Sequence, residues 1–297
     1  MSENRAQTVD AEVLARRAAA RRSYLFVPGD RPERFEKAAA AGADAVIVDL
    51  EDAVAAEDKA GARDAALAWI TKRTLGGPAV FLRLNGLRTP AGIADLAAVL
   101  NLGPALAGLA GLLLPKARAA DVSVIADLID QTGMPWELGA LVETIEGIEE
   151  AFVLARASDR LSFLMFGGAD LAAELGVEIA WDPLLSARAR LVAAAAGAGR
   201  ASLDMPWIAL SDLAGEEAEM RRSFALGFTS RAAIHPTQPP RINAMLEPTP
   251  AALDQARRVM DAYAASRGSA CLLDGRLVER PIIEHSRRLL ARAGETV

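Results

Sequence analysis

Eight times along this 297-residue chain, a short apolar run stops on residues equipped for polar chemistry. In order the stops are Pro28-Gly29-Asp30, Asp49-Leu50-Glu51-Asp52, Arg83-Leu84-Asn85, Pro115-Lys116, Glu143-Thr144, Gly167-Gly168-Ala169-Asp170, Ser211-Asp212 and His235-Pro236. Glu143 and Asp170 close the fifth and sixth runs, with no histidine between them. Carboxylates so placed favour a hard divalent cation with oxygen ligands, magnesium by default, whose remaining positions go to water and substrate oxygens. Arg83 opposite such an ion suits a developing oxyanion or a substrate carboxylate. The 2 histidines, His235 and His285, are too few for a histidine-rich zinc site, and the single cysteine, Cys271, excludes an intrachain disulfide.

Each of these residues also has a plainer reading, and the sequence leaves both open. Glu143, Asp170 and Arg83 could be structural ion-pair partners. Glu51 and Asp52 could cap the helix that follows, since acids favour first turns. Lys116 could pack at a rim, His235 could donate to a neighbouring carbonyl, and Glu279 could be an ordinary surface glutamate.

The elements that must hold these groups follow from the apolar runs. Ser23–Pro28, Ala45–Leu50, Val80–Leu84, Gly111–Leu114, Leu138–Val142, Leu161–Phe166, Trp207–Leu210 and Ala232–Ile234 are nearly continuous in apolar residues. That is the pattern of parallel strands covered on both faces. Between them lie stretches of helical length and composition: 34–41, 58–70, 91–100, 119–129, 145–155, 183–196 and 215–226. Pro32 stands at the first turn of one, and Gly42 follows its end. Strand and helix alternating eight times predict an α/β chain folded as a (β/α)8 TIM barrel, in which catalytic groups gather at the C-terminal ends of the strands. The segment 170–206 is longer than its counterparts and has room for an extra short helix. We expect an N-terminal surface arm over 1–22, the barrel over 23–248 and a C-terminal helical and hairpin extension over 249–297, packed over a barrel mouth. Asp274-Gly275 suits a type I′ turn within that extension.

Charge and hydropathy exclude other classes. Lys and Arg number 33 against 39 Asp and Glu, a formal charge of −6. An acidic field attracts neither nucleic acid nor an anionic membrane surface. No apolar run is long enough to span a bilayer, and the N-terminal stretch lacks the pattern of a signal peptide. A cytoplasmic location is expected.

The same strand-end residues carry a resemblance. Arg22 to Gly29 (RSYLFVPG), Asp49 to Val54 (DLEDAV), Arg83-Leu84-Asn85, Pro115-Lys116, Glu143-Thr144 with Glu146-Gly147, Phe166 to Leu171 (FGGADL) and Ile234 to Gln238 (IHPTQ) occur in this order. Together they resemble the citrate lyase β-subunit-like family of CoA-ester lyases, within the HpcH/HpaI aldolase superfamily, over about residues 22–290. The resemblance implies a Mg2+-dependent retro-Claisen cleavage, or the reverse condensation, of a β-hydroxyacyl-CoA such as malyl-CoA, citramalyl-CoA or citryl-CoA, with a glyoxylate- or pyruvate-like ketoacid as the other partner. It implies Glu143 and Asp170 as magnesium ligands, Arg83 as the group that binds substrate and stabilises the thioester enolate, and Glu51 and Asp52 behind them orienting metal waters. Phe26, Lys37, Ile234 and His235 would meet the CoA arm. A homo-oligomer, trimer or hexamer, is expected. In related lyases an aspartate of the C-terminal arm is the general acid/base. Here Leu277-Val278-Glu279-Arg280-Pro281 puts Glu279 at that position. Ser230, where the family commonly has glycine, would be strained if that position needs positive φ. Rival readings are a class II aldolase acting on free 2-keto acids, a β-subunit that works inside a multi-chain lyase, and a non-catalytic barrel that binds CoA esters.

Overall fold

The structure is a computed structural model that describes residues 11–73, 76–266 and 269–295. Eight parallel strands close into a barrel, each paired with the next and the eighth with the first. They are β1 (Ser23–Pro28), β2 (Ala45–Asp49), β3 (Ala79–Arg83), β4 (Gly111–Leu114), β5 (Glu137–Val142), β6 (Leu161–Phe166), β7 (Ala201–Asp204) and β8 (Ser230–Ala233). Large side chains fill the interior: Tyr24, Ile47, Phe81, Leu113, Leu141, Phe163, Met165 and Leu203 form one buried cluster, as a packed (β/α)8 core requires. Phe81 meets Phe163 edge-on with centroids 5.5 Å apart, and Tyr24 lies against both rings.

The helices that cover the outside are α2 (Phe35–Ala39), α3 (Lys59–Lys72), α4 (Pro90–Leu102), α5 (Ala119–Thr132), α6 (Ile145–Leu154), α7 (Gly168–Leu175), α8 (Trp181–Gly197) and α9 (Leu213–Leu226). Several start on side chains that satisfy the free N–H groups of a first turn. Thr89 accepts from Gly92, Thr144 from Gly147 and Asp212 from Gly215. The extra helix anticipated between 170 and 206 is α7.

Three expectations are corrected. The seventh strand is not Trp207–Leu210, which is irregular, but Ala201–Asp204. Its Ser202 and Asp204 disguise it as a turn, although both are buried. Ser211-Asp212 is therefore not a strand end; Asp212 caps α9. The described part of the N-terminal stretch forms α1 (Ala11–Ala20), which buries Leu14 and Ala18 while Glu12, Val13, Arg16 and Arg17 stay exposed. Ser230, finally, sits in strand conformation with its hydroxyl donating to the Arg21 carbonyl at 2.7 Å. Positive φ at a non-glycine is confined, among the described residues, to Lys116 and Asp274.

The chain divides into two compact units, Met1–Ile242 and Asn243–Val297, with α10 (Gln238–Leu246) running across the division. The second unit contains α11 (Pro250–Ala265), the antiparallel hairpin of β9 (Cys271–Leu273) and β10 (Arg276–Val278), and α12 (Arg280–Arg292). Asp274 and Gly275, at φ 52° and 76°, make the tight hairpin turn that their types suit. Val259, Val278 and Ile283 form this unit's core. No described helix is long and apolar enough to cross a membrane.

Candidate active site at the C-terminal rim

Register brings the first functional pair together. Asp49 and Arg83, the last residues of β2 and β3, are direct partners in the sheet. Asp49 grips the guanidinium with both oxygens, from Nε at 2.6 Å and from the Nη2 nitrogen at 2.5 Å. The other guanidinium nitrogen, Nη1, lies 3.0 Å from Glu51 and 3.3 Å from Asp52. Arg83 also stacks over the Phe26 ring at 5.4 Å. Burial works against the charge on Arg83, but the hydrogen bonds and charge of Asp49, with Glu51 and Asp52 behind, raise its pKa well above its ordinary range.

Glu143 follows β5 directly and is buried. Its Oε1 accepts the Lys116 backbone N–H at 2.8 Å. Gly167, at the end of β6, lets the glutamate pass: a Cβ there would lie 2.3 Å from the Glu143 Cβ. Asp170 stands in the first turn of α7, where an acid is favoured. The Lys116 ammonium sits among these acids, 3.2 Å from Glu51, 3.3 Å from Asp170 and 3.8 Å from Glu143.

Crowded charge shows in the protonation of the cluster. Burial, then the neighbouring Glu51 charge, pushes the Glu143 carboxyl up to about 8, with Lys116 pulling the other way. Glu51 is raised as well, by burial first, against the opposing pull of Arg83. Lys116 is held protonated above its ordinary range, since the charges of Glu143 and Glu51 outweigh its burial.

Five carboxylates, on Asp49, Glu51, Asp52, Glu143 and Asp170, thus share two cations, Arg83 and Lys116. That surplus of negative oxygen suits a hard divalent ion. Among the described residues no group of three or more His, Cys, Asp or Glu is arranged to hold a metal by itself. An ion on Glu143 and Asp170 would therefore complete its shell with water and substrate oxygens, as Mg2+ commonly does.

Arg83, Glu143 and Asp170 line one cavity of about 440 Å3 whose remaining wall is largely apolar, from Phe26, Leu141, Met165, Met205 and Ile208. A second cavity, of about 310 Å3, shares Phe26, Pro28 and Ile234 with it and adds Arg34, Lys37 and His235. So Phe26, Lys37, Ile234 and His235 do meet. His235 Nδ1 accepts from the Thr237 N–H at 3.3 Å, and Gln238 Oε1 receives the N–H groups of both Ile234 and His235. Glu279 belongs to the other unit, exposed ahead of α12 and making no side-chain cap.

Sequence reasoning missed three participants. Asp49 is the main partner of Arg83, and the signal was its place on the strand beside Arg83. Lys116, whose strand-end position leaves rim packing and substrate contact equally open, stands at the centre of the acids. Arg34 reads in the sequence only as part of a helix.

The model of the HpcH/HpaI aldolase/citrate lyase family matches residues 22–236. A (3S)-malyl-CoA thioesterase of Cereibacter sphaeroides is 36% identical over 94% of this chain and 97% of its own. An L-malyl-CoA/beta-methylmalyl-CoA lyase of the same species is 33% identical over 92% of this chain and 94% of its own. The crystal structure of CitE from Mycobacterium tuberculosis, in complex with magnesium, acetoacetate and coenzyme A, superposes with a TM-score of 0.73 at 36% identity, covering 93% of this chain and 100% of that one.

Proposed function

The chain belongs to the HpcH/HpaI aldolase/citrate lyase family, and from that premise we propose that it is a Mg2+-dependent carbon–carbon lyase of β-hydroxyacyl-CoA esters, of the malyl-CoA, citramalyl-CoA or citryl-CoA kind, working by retro-Claisen cleavage or the reverse condensation. The observation that carries this is the convergence of a clamped guanidinium and a cation-seeking carboxylate pair on one largely apolar cavity.

Glu143 and Asp170 would hold the ion. Bound there, magnesium supplies Lewis acidity that polarises the hydroxyl and ketoacid oxygens of a substrate. Everything else is done by side chains. A guanidinium has five N–H donors, and Asp49 and Asp52 use three of those on Arg83. Glu51 also lies 3.0 Å from Nη1, which leaves the outer Nη2 N–H to meet the charge that moves onto the thioester oxygen when the carbon–carbon bond breaks. Because Asp49 fixes the group beforehand, no reorganisation accompanies that step. Leu141, Met165 and Met205 narrow the water around it, so each charge counts for more than in bulk solvent. Phe26, Lys37, Ile234 and His235, with Arg34, form a cationic, partly apolar recess suited to a CoA arm. Glu279 is the acid/base nominated by the resemblance, taking the hydroxyl proton on cleavage. The resemblance extends the reading to a homo-oligomer, a trimer or hexamer; a cytoplasmic location is proposed from the sequence pattern alone.

A screen of β-hydroxyacyl-CoA esters with Mg2+, following free ketoacid, acyl-CoA and free thiol, tests the proposal. Ketoacid release that needs the CoA ester supports it. Cleavage of free hydroxy-ketoacids alone would favour the class II aldolase, and thiol release without ketoacid would mark simple hydrolysis. Glu143→Ala and Asp170→Ala should each lose both Mg2+ binding and turnover, while Glu279→Gln loses turnover alone. Retained activity in the first two overturns the assignment.

A further inference from the structure

Lys116 holds a left-handed backbone, φ 45°, that a lysine seldom adopts. The other such residue, Asp274, is explained by its hairpin turn; Lys116 is in no hairpin. Strain of this kind persists only where the surroundings impose it, and it concentrates at functional sites. Here the imposing contact is the Lys116 N–H, which donates to Glu143 Oε1 at 2.8 Å. From that root the side chain brings its ammonium to Glu51 Oε1, Asp170 Oδ2 and Glu143 Oε1. An exposed lysine usually gains little from ion pairing and loses rotamer freedom by it. This one is half-exposed, yet it converges on carboxylates that follow three different strands.

Magnesium binds oxygen at about 2.0–2.1 Å in near-octahedral geometry. An ion held by Glu143 and Asp170 would draw on oxygens the ammonium now contacts, and two cations a few ångströms apart repel strongly outside bulk water. We propose that Lys116 is a positioning residue, an internal counter-ion that changes places with the metal. Before an ion arrives, its ammonium keeps Glu51, Glu143 and Asp170 convergent instead of splayed by their mutual repulsion. When the ion binds, the ammonium swings toward solvent while the N–H bond to Glu143 keeps its root in place. The cost of that exchange sets the metal affinity below what the carboxylates alone would give. The proposal rests on the reading of Glu143 and Asp170 as the magnesium ligands.

The test is calorimetric titration of Mg2+ into the full-length protein at about pH 9, where protons compete least for the carboxylates. Lys116→Met removes the charge, Lys116→Gly removes it and also relaxes the backbone, and Lys116→Arg keeps it. We expect the Met and Gly variants to bind Mg2+ roughly tenfold more tightly than wild type and the Arg variant to bind like wild type. Without added Mg2+ the Met variant should melt lower, and its midpoint should rise more on adding the ion. A merely structural lysine would weaken binding when removed. Affinity that is unchanged or weaker in both the Met and Gly variants overturns the proposal. Should wild type bind Mg2+ and only this comparison fail, the lyase reading stands; absence of binding by wild type overturns both.

Discussion

Asp49 accepts twice from Arg83 and twice from the backbone, from Glu51 N–H at 2.8 Å and Ala53 N–H at 3.3 Å. It therefore orients the guanidinium and is itself oriented by the turn after β2. Asp49→Asn keeps the shape but can no longer accept from both arms of the guanidinium. We expect kcat/KM to fall about 100-fold, as small misplacements of reacting groups do, with the Mg2+ dissociation constant unchanged. A variant that loses metal affinity in step with rate would show that Asp49 serves the ion and not Arg83. Glu143 gives a separate prediction about pH. Its folded pKa, about 8, lies above the ordinary carboxylate value of 4.5. Between those values the folded state binds more protons than the unfolded, so this group's stabilisation is complete below about pH 4.5 and lost as pH rises through 8. In EDTA the melting temperature should drop from pH 6 to pH 8.5 by an amount that Glu143→Gln reduces. A slope that the substitution leaves unchanged would mean that the proton sits elsewhere.

Between strand and helix, the site depends on how each chain turn leaves the barrel. Gly167 is a tight point among these turns, since a methyl group there meets Glu143 Cβ at 2.3 Å and Oε2 at 3.0 Å. Gly167→Ala should destabilise the fold by about 1–3 kcal/mol through overpacking. By displacing Glu143 it should also weaken Mg2+ binding by ~10-fold or more. Denaturant titration and calorimetry read the two effects separately; full metal affinity in the variant would show that the turn yields without moving the glutamate. The same turns explain which parts of the architecture were legible in the sequence. Seven strands announced themselves as apolar runs because both of their faces are covered. β7 did not, because Asp204 and Ser202 are polar yet buried: Asp204 pairs with Arg188, and Ser202 binds backbone carbonyl and threonine groups of the next turn. Trp207–Leu210 is apolar because it flanks the cavity mouth, with Ile208 in its lining, so hydropathy pointed one turn too far. Glu51, Asp52, Glu143, Asp170 and Arg83 were readable from their positions alone, whereas Asp49 shows its part only once β2 and β3 pair. Lys116 was not, since only the left-handed backbone and the fold's closure reveal that its ammonium reaches three other turns.

Taken across its whole length, the barrel divides its labour between two ends. The C-terminal rim carries five acids around two cations, an arrangement that costs stability. The N-terminal end carries a neutralised plug: Arg21 forms two hydrogen bonds to Glu137, at 2.8 and 2.7 Å, and lies over the Phe81 ring. Both side chains are nearly or fully buried, and α1 sets Leu14 and Ala18 against the interior beside them. Removing one member leaves the other's charge uncompensated in a nearly buried position. Glu137→Ala should cost about 3–5 kcal/mol. At roughly 2–4 °C per kcal/mol for a chain of this size, the melting temperature should fall by about 10 °C. The rim lies at the other end of every strand, joined to the plug only through a packed core, and its carboxylates take no hydrogen bond from Arg21 or α1. Below the melting transition, then, the variant should bind Mg2+ and turn over substrate at wild-type levels. A large loss of kcat at 20 °C with the fold intact would contradict this separation and make the base of the barrel part of the machinery at its rim.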